Sequence, residues 1–344
     1  KLFEIGVVNW FKVWFKNARS ISLPQSLMPA ITAFILGLGI EDFNFIAAAV
    51  AIVGVVFAHL GMNLADDYFD YIQVSQESRE HLVRKGIRAR TTKCPYLKDG
   101  SATIGQLRNA TLIFLTIAAV CGAVVALFNF STQLLWVVGI TLVLGIFYSA
   151  PPLKLSYHGL GELIIGIIFG PLLMIGISLA GCGHIDSTVA MISVPVGLLV
   201  TNILFTHSFL DMEADKAAGK MTLARLLKTS EANLVAVVVF NVAPFVIVAY
   251  GIVVGWFHWA YAFIFVALPA ALWLISSMFK FAKGVEIDSK NPPKFLGKFP
   301  NWEATCQAGM DWFMIRWLTC SNLVSRFCMM TAVVTIILKV ISLF

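Results

Sequence analysis

Acidic side chains that could bind a metal ion are concentrated in a stretch at residues 61–71. Asn63, Asp67 and Asp70 follow one another at intervals of four and three residues, so a helix would place them on one face. Asp66 borders the same face. Carboxylate and amide oxygens stacked along a helix in this way suit a hard cation such as Mg²⁺. The stretch is therefore a candidate metal site.

A second acidic stretch, at residues 207–216, repeats this arrangement. His207, Asp211 and Asp215 recur every four residues, again on one helical face. Both stretches directly follow apolar segments, where the positive-inside rule of membrane proteins would favour Lys or Arg. Acids at these positions carry an electrostatic cost unless cations neutralise them, and we interpret Asp211 and Asp215 as a second metal site.

Two carboxylate clusters facing each other across a cavity could hold Mg²⁺ on a diphosphate substrate. Mg²⁺ combines a few carboxylates with waters and substrate phosphates, and it neutralises charge on a departing diphosphate. Basic side chains would bind the remaining phosphate oxygens, and the candidates are Lys154, Lys216 and Lys220. A diphosphate at the membrane surface with a long apolar tail in the bilayer is a polyisoprenyl diphosphate. Cleavage of its carbon–oxygen bond would give an allylic cation that an electron-rich acceptor captures.

The composition assigns these residues to a membrane protein. Of the 344 residues, 59% are hydrophobic and 13% are charged, and mean hydropathy is +0.84. The charged share is about half of that in a soluble domain. The charged side chains are too few to cover the surface of a soluble protein with this much apolar content. The composition therefore argues against an ordinary soluble enzyme. It also excludes a disordered chain, a disulfide scaffold and a nucleic-acid-binding domain, so we interpret the net charge of +6 as basic membrane loops.

Nine apolar stretches are long enough to cross a bilayer as helices of about 20 residues. They lie near 21–40, 45–65, 110–128, 133–149, 162–180, 190–210, 232–254, 257–280 and 323–343. The predicted fold is an all-α, polytopic membrane protein with nine transmembrane helices around a central cavity. Because an acidic stretch follows both the second and the sixth span, the sequence suggests two similar four-helix halves. The two stretches beside residues 129–132 could instead form one re-entrant hairpin.

The distribution of Lys and Arg orients the predicted bundle. Alternating the loops between the two faces places 24 of the 25 basic residues on one face, and the remaining one is Lys339. This pattern predicts an integral, multi-pass membrane protein with its N-terminus in the cytoplasm and its C-terminus outside. The predicted cytoplasmic loops lie near 66–109, 150–161, 211–231 and 281–322.

Residues 1–20 are predicted to lie at the membrane surface. Trp and Phe mix with Lys and Arg over residues 9–19, which is typical of an interfacial amphipathic helix and not of a signal peptide. Residues 21–344 then form a single transmembrane domain. Within it, we interpret the long 281–322 segment as an interfacial surface segment, and a lid or partner-binding role is the alternative.

Three groups of residues, in sequence order, resemble motifs of the UbiA family of intramembrane prenyltransferases. The first is NLADDYFD at residues 63–70, which is most similar to the dihydroxynaphthoate, or menaquinone-pathway, branch. The second is YSAPPLK at 148–154 with HGLGE at 158–162. The third is the D-x-x-x-D motif that starts at Asp211, followed by GK at 219–220. Arg19 and the PQS of residues 24–26 also resemble the family's N-terminal signature.

The resemblance implies an Mg²⁺-dependent enzyme that transfers a polyprenyl group from a polyprenyl diphosphate to an aromatic or quinone-precursor acceptor. The implied metal ligands are Asn63, Asp66, Asp67, Asp70, Asp211 and Asp215. Lys154 and Lys220 would contact the diphosphate, and Tyr148 would line the acceptor pocket. We therefore assign catalysis to Asp67, Asp211, Lys154 and Tyr148. Substrate binding is assigned to Asn63, Lys216 and Lys220.

Two positions depart from the family pattern and leave the acceptor open. In the family, the first Asp of the D-x-x-x-D motif is often preceded by N-x-x-R. This chain has His207 in place of that Asn and Leu210 in place of that Arg. The preferred acceptor is 1,4-dihydroxy-2-naphthoate. The alternatives are 4-hydroxybenzoate, homogentisate, a haem or chlorophyll precursor, or a glycerol-phosphate lipid. A membrane transporter that uses the acidic clusters is the alternative from another class.

Overall fold

A computed structural model describes residues 6–73, 94–217 and 219–342 of the chain. In these residues the regular structure is helical, apart from one isolated bridge between His158 and Met221. The prediction of an all-α fold is confirmed. Most of the basic residues predicted for the 66–109 loop lie at 79–93, outside the described residues.

The longer helices are labelled α1 to α10. Their bounds are Val7–Asn17 (α1), Pro24–Gly37 (α2), Phe45–Gln73 (α3), Ile104–Phe128 (α4), Thr132–Ser149 (α5), Gly161–Cys182 (α6), Ser187–Leu210 (α7), Ser230–Val253 (α8), Trp259–Ala282 (α9) and Asp311–Ile341 (α10). Helix α6 includes a π-helical segment, Ile168–Leu172, and α9 begins as a 3₁₀ helix that ends at Ala267. Short helices lie at Ser20–Ser22, Pro95–Lys98, Leu155–Tyr157, Met212–Ala217, Leu223–Leu226, Lys294–Leu296 and Trp302–Gln307.

Eight of the described helices, α3 to α10, are long and apolar enough to cross a membrane. The first predicted span corresponds to α2, which has 14 residues. Arg19, just before α2, contacts Asp66 near the end of α3, and Lys339 at the end of α10 donates a 2.7 Å hydrogen bond to the carbonyl of Leu36. Helix α2 therefore connects the same two ends of the bundle as its longer neighbours. The predicted nine spans correspond to eight long helices and one short one.

The two ends of the bundle differ in their side chains. The acidic end carries Asp66 to Asp70 and Asp211, and the opposite end carries the α4–α5 turn. At that turn, the side chain of Asn129 donates to the carbonyls of Ala180 and Gly181 at the end of α6, over 2.8 and 3.2 Å. Ser131 caps α5 by accepting from the backbone N–H of Leu134. Because α4 and α5 are separate helices of 25 and 18 residues, the structure does not have the single re-entrant hairpin.

Helices α6 and α7 approach each other closely at glycines. A Cβ atom on Gly170 would lie 2.4 Å from the Cα of Gly197, and one on Gly166 would lie 1.9 Å from the hydroxyl of Thr201. Small residues four apart allow such close contact between membrane helices. Pro171, within the π-helical segment, also contacts Gly197 at this crossing. The crossing fixes the position of α7, which leads into the second acidic stretch.

Helix α1 forms as the amphipathic pattern predicts, and its aromatic side chains pack on α3 and α4. Trp10, Phe11 and Phe15 lie within 5.5 to 6.2 Å of the ring of Phe114 on α4. Phe15 also meets Phe57 of α3 edge-on, at 5.8 Å. This packing holds the chain just after α1, including Arg19, beside the acidic end of α3.

The structure corrects the boundaries of two predicted loops. Helix α3 continues to Gln73, so the first acidic stretch lies on the helix itself. Helix α10 begins at Asp311, so residues 311–322 are helical and do not belong to the predicted 281–322 loop. Arg316 lies in this part of α10, and its guanidinium is buried and donates to the carbonyls of Ser277 and Trp312. Those backbone acceptors satisfy the charged group inside the helix bundle.

Candidate active site

A cavity of about 1070 Å³ begins at the acidic end and extends into the apolar interior of the bundle. It brings together residues that are far apart in the sequence. The predicted site residues that line it are Asn63, Asp66, Tyr148, Asp215 and Lys220, together with His207. Both acidic stretches therefore contribute to the wall of one cavity.

Arg19 forms ion pairs with two acids of the first acidic stretch. Its Nη2 atom lies 3.2 Å from a carboxylate oxygen of Asp66 and 3.2 Å from one of Asp67, and it also donates to the carbonyl of Asn63 over 3.0 Å. Burial lowers the pKa of the Arg19 guanidinium, but Asp67 and Asp66 outweigh that effect and hold the pKa above its usual value. Arg19 is held by a left-handed backbone turn, with φ of 59°, at the end of α1. It therefore bridges two adjacent carboxylates of α3, of which Asp66 lines the cavity.

Three hydroxyl groups fix the carboxylates of the first stretch. Tyr96 donates to Asp67 over 2.8 Å, Tyr157 donates to Asp70 over 2.7 Å, and Ser149 donates to Asp66 over 2.5 Å. Burial and the Asp67 carboxylate raise the pKa of the Tyr96 phenol, so it remains a neutral donor. Asp67 is only 3% exposed. These partners come from three other segments of the chain, which no local spacing rule can identify.

Asn63 is oriented by the turn that precedes α2. Its side-chain nitrogen donates to the carbonyl of Ala18 over 3.0 Å and to the hydroxyl of Ser22 over 3.2 Å. These contacts use both amide hydrogens. Behind Ser22, the ring of His59 lies 3.3 Å from the Ser22 hydroxyl and 2.6 Å from that of Ser26. The amide oxygen of Asn63 is thereby left for a ligand in the cavity.

The second acidic stretch lies where α7 ends. Helix α7 stops at Leu210, and Asp211 is followed by the short helix Met212–Ala217. Backbone hydrogen bonds from Asp211 to His207, 3.0 Å, and from Asp215 to Asp211, 2.9 Å, keep the three residues one turn apart. The predicted common face is therefore preserved across an interrupted helix. Nε2 of His207 lies 3.9 Å from a carboxylate oxygen of Asp211.

Two loops near the acidic stretches are joined to each other by hydrogen bonds. The backbone N–H of Gly159 donates to the carbonyl of Met221 over 2.8 Å, which joins the loop after α5 to the loop after Asp215. The carboxylate of Glu162 accepts from the hydroxyl of Ser208 over 2.6 Å and from the N–H of Leu223 over 3.1 Å. The loops are thus tied to each other and to the end of α7.

The structure distinguishes the three predicted phosphate-binding lysines. Lys220 lines the cavity, and its ammonium lies 5.5 Å from the centre of the Tyr157 ring. Lys216 is exposed on the short helix after Asp211. Lys154 lies in a turn with φ of 42°, and its carbonyl accepts from the backbone N–H of Tyr157. Of the three lysines, Lys220 is the one that lines the cavity, and its backbone N–H donates to the carbonyl of Asp215 over 2.9 Å.

The oxygen donors at the acidic end fit Mg²⁺ in chemical type. In residues 6–73, 94–217 and 219–342, no three His, Cys, Asp or Glu side chains converge as a ready-made metal cage. Mg²⁺ does not require such a cage, because it commonly uses one or two carboxylates together with waters and substrate phosphates. Carboxylates on two sides of one cavity therefore fit a metal that is shared with a diphosphate.

The apolar part of the cavity runs along α4 and α5. Small residues such as Ala118 and Gly122 of α4 and Gly145 of α5 form its wall. Helix α4 packs along α3, whereas α5 packs mainly on α3 and α6, so little contact closes the space between α4 and α5. From Ser149 to Leu134, which both line the cavity, α5 rises by about 22 Å. This channel has the shape and polarity that a prenyl tail requires.

A separate part of the wall is aromatic. Phe313, Met314 and Trp317 of α10 line the cavity together with His207. The His207 ring meets Phe313 edge-on, with ring centres 5.2 Å apart. A flat ring could pack against this wall, because aromatic pairs favour edge-to-face and offset arrangements. The apolar pattern of the sequence does not identify this wall, because the charged Arg316 interrupts that pattern near the start of α10.

Comparisons with known proteins agree with this architecture. Residues 26–295 match the sequence profile of the UbiA prenyltransferase family. The chain is 25% identical over 215 residues to the 1,4-dihydroxy-2-naphthoate octaprenyltransferase of Mycobacterium leprae, covering 62% of this chain and 69% of the relative. It is 34% identical over 138 residues to the 2-carboxy-1,4-naphthoquinone phytyltransferase of Synechocystis, covering 40% and 45%.

Solved structures share the fold. A UbiA homolog from Archaeoglobus fulgidus bound to GPP and Mg²⁺ superimposes with a TM-score of 0.54 at 15% identity, covering 90% of this chain and 99% of that one. A structure of digeranylgeranylglyceryl phosphate synthase gives a TM-score of 0.54 at 16% identity, covering 92% and 99%. At these identities the likeness concerns the fold alone.

Proposed function

The chain belongs to the UbiA prenyltransferase family and is a multi-pass membrane prenyltransferase, and we propose 1,4-dihydroxy-2-naphthoate as its acceptor and Mg²⁺ as its metal. The observation that carries the proposal is the single cavity that joins both acidic stretches to an apolar channel. The names of the relatives from Mycobacterium leprae and Synechocystis support a naphthalene-ring acceptor.

The proposed metal ligands lie on the two sides of the acidic end. They are Asn63, Asp66, Asp67 and Asp70 on α3, with Asp211 and Asp215 after α7. When bound, Mg²⁺ would neutralise the negative charge that develops on the departing diphosphate. Arg19 pairs with the carboxylates of Asp66 and Asp67, and Tyr157 orients Asp70 by donating to it over 2.7 Å.

The prenyl diphosphate is proposed to bind with its phosphates at the acidic end and its tail along α4 and α5. The ammonium of Lys220 binds phosphate oxygens, since Lys220 lines the cavity and its ammonium lies near the ring of Tyr157, which donates to Asp70. The carbon–oxygen bond to the prenyl group then breaks, and the diphosphate leaves with the electron pair. The apolar channel excludes water from the allylic cation, which protects the cation from hydrolysis.

The acceptor is proposed to bind against the aromatic wall of α10 and next to Tyr148. A carbon of its electron-rich ring attacks the allylic cation, forming a carbon–carbon bond, and the ring regains aromaticity by losing a proton. Phe313 and Trp317 supply flat apolar contact, which favours a two-ring acceptor over a single ring because more surface is buried.

Acceptor competition tests this proposal. Purified protein is given a polyprenyl diphosphate, Mg²⁺ and either 1,4-dihydroxy-2-naphthoate, 4-hydroxybenzoate or homogentisate. We expect kcat/KM for the naphthoate to exceed the others by at least about tenfold, since losing the apolar contact of one ring costs about 1–3 kcal/mol. Faster turnover of a single-ring acceptor would overturn the proposed acceptor.

A further inference from the structure

Two residues that line the cavity each have a hydroxyl group that is buried without a hydrogen-bond partner. The two groups are Oγ of Ser156 and Oγ1 of Thr222, and each residue is only 3% exposed. Buried polar atoms are nearly always hydrogen-bonded in folded proteins, because an unpaired group loses its contacts with water. An unpaired pair at one wall therefore indicates a ligand that supplies the missing partners.

The unpaired atoms are not scattered over the molecule. In the part of the chain that the structure describes, four buried side-chain nitrogen or oxygen atoms lack a partner. Three of them, on Arg19, Ser156 and Thr222, belong to residues of this cavity, and the fourth is the amide oxygen of Asn233 on α8. The cavity therefore holds unused hydrogen-bonding capacity.

The two loops hold these hydroxyls in fixed positions. Ser156 lies in the 3₁₀ turn Leu155–Tyr157, next to the tyrosine that donates to Asp70. Thr222 lies two residues after Lys220 and precedes a short helix, but its hydroxyl makes no capping hydrogen bond. The backbone contacts of His158 and Gly159 with Met221 join the two loops. Both hydroxyls are thus presented from a tied pair of loops.

We propose that Ser156 and Thr222 donate hydrogen bonds to the diphosphate of the prenyl donor, on the side bound by Lys220. Hydroxyl groups make short, strong hydrogen bonds to anionic oxygens. One of these loops carries Lys220, and the loops contact Asp70 and Asp215, whereas the aromatic wall is formed by Phe313, Met314 and Trp317 of α10. The inference rests on the proposed binding of the diphosphate at the acidic end, and it assigns the hydroxyls to the phosphates and not to the acceptor.

Binding of inorganic diphosphate tests the proposal without requiring turnover. Titration calorimetry with Mg²⁺ present compares the wild type with Ser156→Ala and Thr222→Val. We expect the dissociation constant of diphosphate to rise about tenfold or more for each variant, as for other lost hydrogen bonds to charged groups. Thr222→Ser keeps the hydroxyl and should bind diphosphate as the wild type does.

A matched control and a kinetic measurement complete the test. Thr331→Val removes a buried hydroxyl that already donates to the carbonyl of Phe327 on α10, and it should leave diphosphate binding unchanged. If Thr222→Val does not fold, the smaller Thr222→Ala replaces it. Unchanged dissociation constants in both hydroxyl variants would overturn the proposal, as would a rise in the acceptor KM alone. Wild-type protein that binds diphosphate but prenylates no naphthoate would instead contradict the proposed acceptor.

Discussion

Asp67 and Asp211 are the least exposed acids of the two stretches. Asp67 is held by Arg19 and Tyr96, and Asp211 is 1% exposed at the end of α7. A buried carboxylate is costly unless it is paired or binds a metal, so the burial of Asp67 and Asp211 at the acidic end favours a role in metal and diphosphate binding. We propose that one acid from each stretch is indispensable.

Asparagine at either position is expected to abolish most turnover. Asp67→Asn and Asp211→Asn keep the side-chain shape but remove the charge, so each should lower kcat/KM by about 100-fold or more. The matched control is Asp186→Asn, since Asp186 caps α7 at the opposite end and asparagine is an equally good cap. Steady-state kinetics at saturating Mg²⁺ make the comparison. Near-normal activity in both variants would contradict a two-stretch site.

Lys220→Gln should lower kcat more than it raises the KM for the prenyl donor. The ammonium faces charge that grows as the carbon–oxygen bond breaks, so its loss affects the transition state more than the ground state. A loss of about 100-fold in kcat is expected, by analogy with other transition-state donors. Lys228→Gln, in the same loop region, serves as the control for a purely topological lysine. Equal kcat in the two variants would make Lys220 an orientation signal only.

Residue types and spacing indicated the helix that carries the first acidic stretch, but not which side chains face the cavity or what holds them. Asn63 and Asp66 line the cavity, whereas Asp67 and Asp70, predicted on the same face as Asn63, are not among its lining residues. The partners of these carboxylates are distant in the sequence. Tyr96 lies 29 residues from Asp67, and Tyr157 lies 87 residues from Asp70. Such contacts depend on how helices pack, which local patterns do not encode.

At the scale of elements, the α6–α7 crossing determines where the second acidic stretch lies. A methyl group on Gly170 would meet the backbone of Gly197 at 2.4 Å, and neither side can move away because both are main-chain atoms. Gly170→Ala should therefore push α7 away from α6. We expect a loss of about 1–3 kcal/mol of stability, which is the usual cost of overpacking.

The thermal unfolding midpoint in detergent measures that loss. Gly139→Ala on α5 is the control, because a Cβ atom at Gly139 would meet nothing within 4 Å. Alanine is the better helix former, so this control should be neutral or slightly stabilising. Equal midpoints for the two variants would contradict the close crossing.

Apolar stretches predicted the helices well, and the two main errors in their bounds came from a buried charge and from a local turn. The sequence places the last span at 323–343, but α10 begins at Asp311, because Arg316 finds acceptors in Ser277 and Trp312. In the other direction, the stretch at 21–40 forms a helix of 14 residues, since a 3₁₀ turn precedes Pro24. Hydropathy alone cannot show that a buried charged side chain finds backbone acceptors, or that a turn shortens a helix.

At the scale of the whole molecule, the charge distribution predicts the orientation in the membrane. Asp99 lies beyond the acidic end, and Asp42 lies at the opposite end, between α2 and α3; both are exposed. Single cysteines at these positions, in a protein without its native cysteines, can be labelled with a membrane-impermeant maleimide. We expect position 42 to react from outside intact cells and position 99 only after the cytoplasmic face is opened. The reverse pattern would overturn the proposed orientation.

The central claim is that both acidic stretches act on one diphosphate in one cavity. Anomalous diffraction from crystals that contain Mn²⁺ and a non-hydrolysable prenyl thiodiphosphate tests it most directly, because Mn²⁺ replaces Mg²⁺ and can be located by its own signal. We expect metal peaks beside Asp67 or Asp70 and beside Asp211 or Asp215, with the diphosphate between them and the tail along α4 and α5. Metal on one stretch alone, or a diphosphate bound outside the cavity, would contradict it.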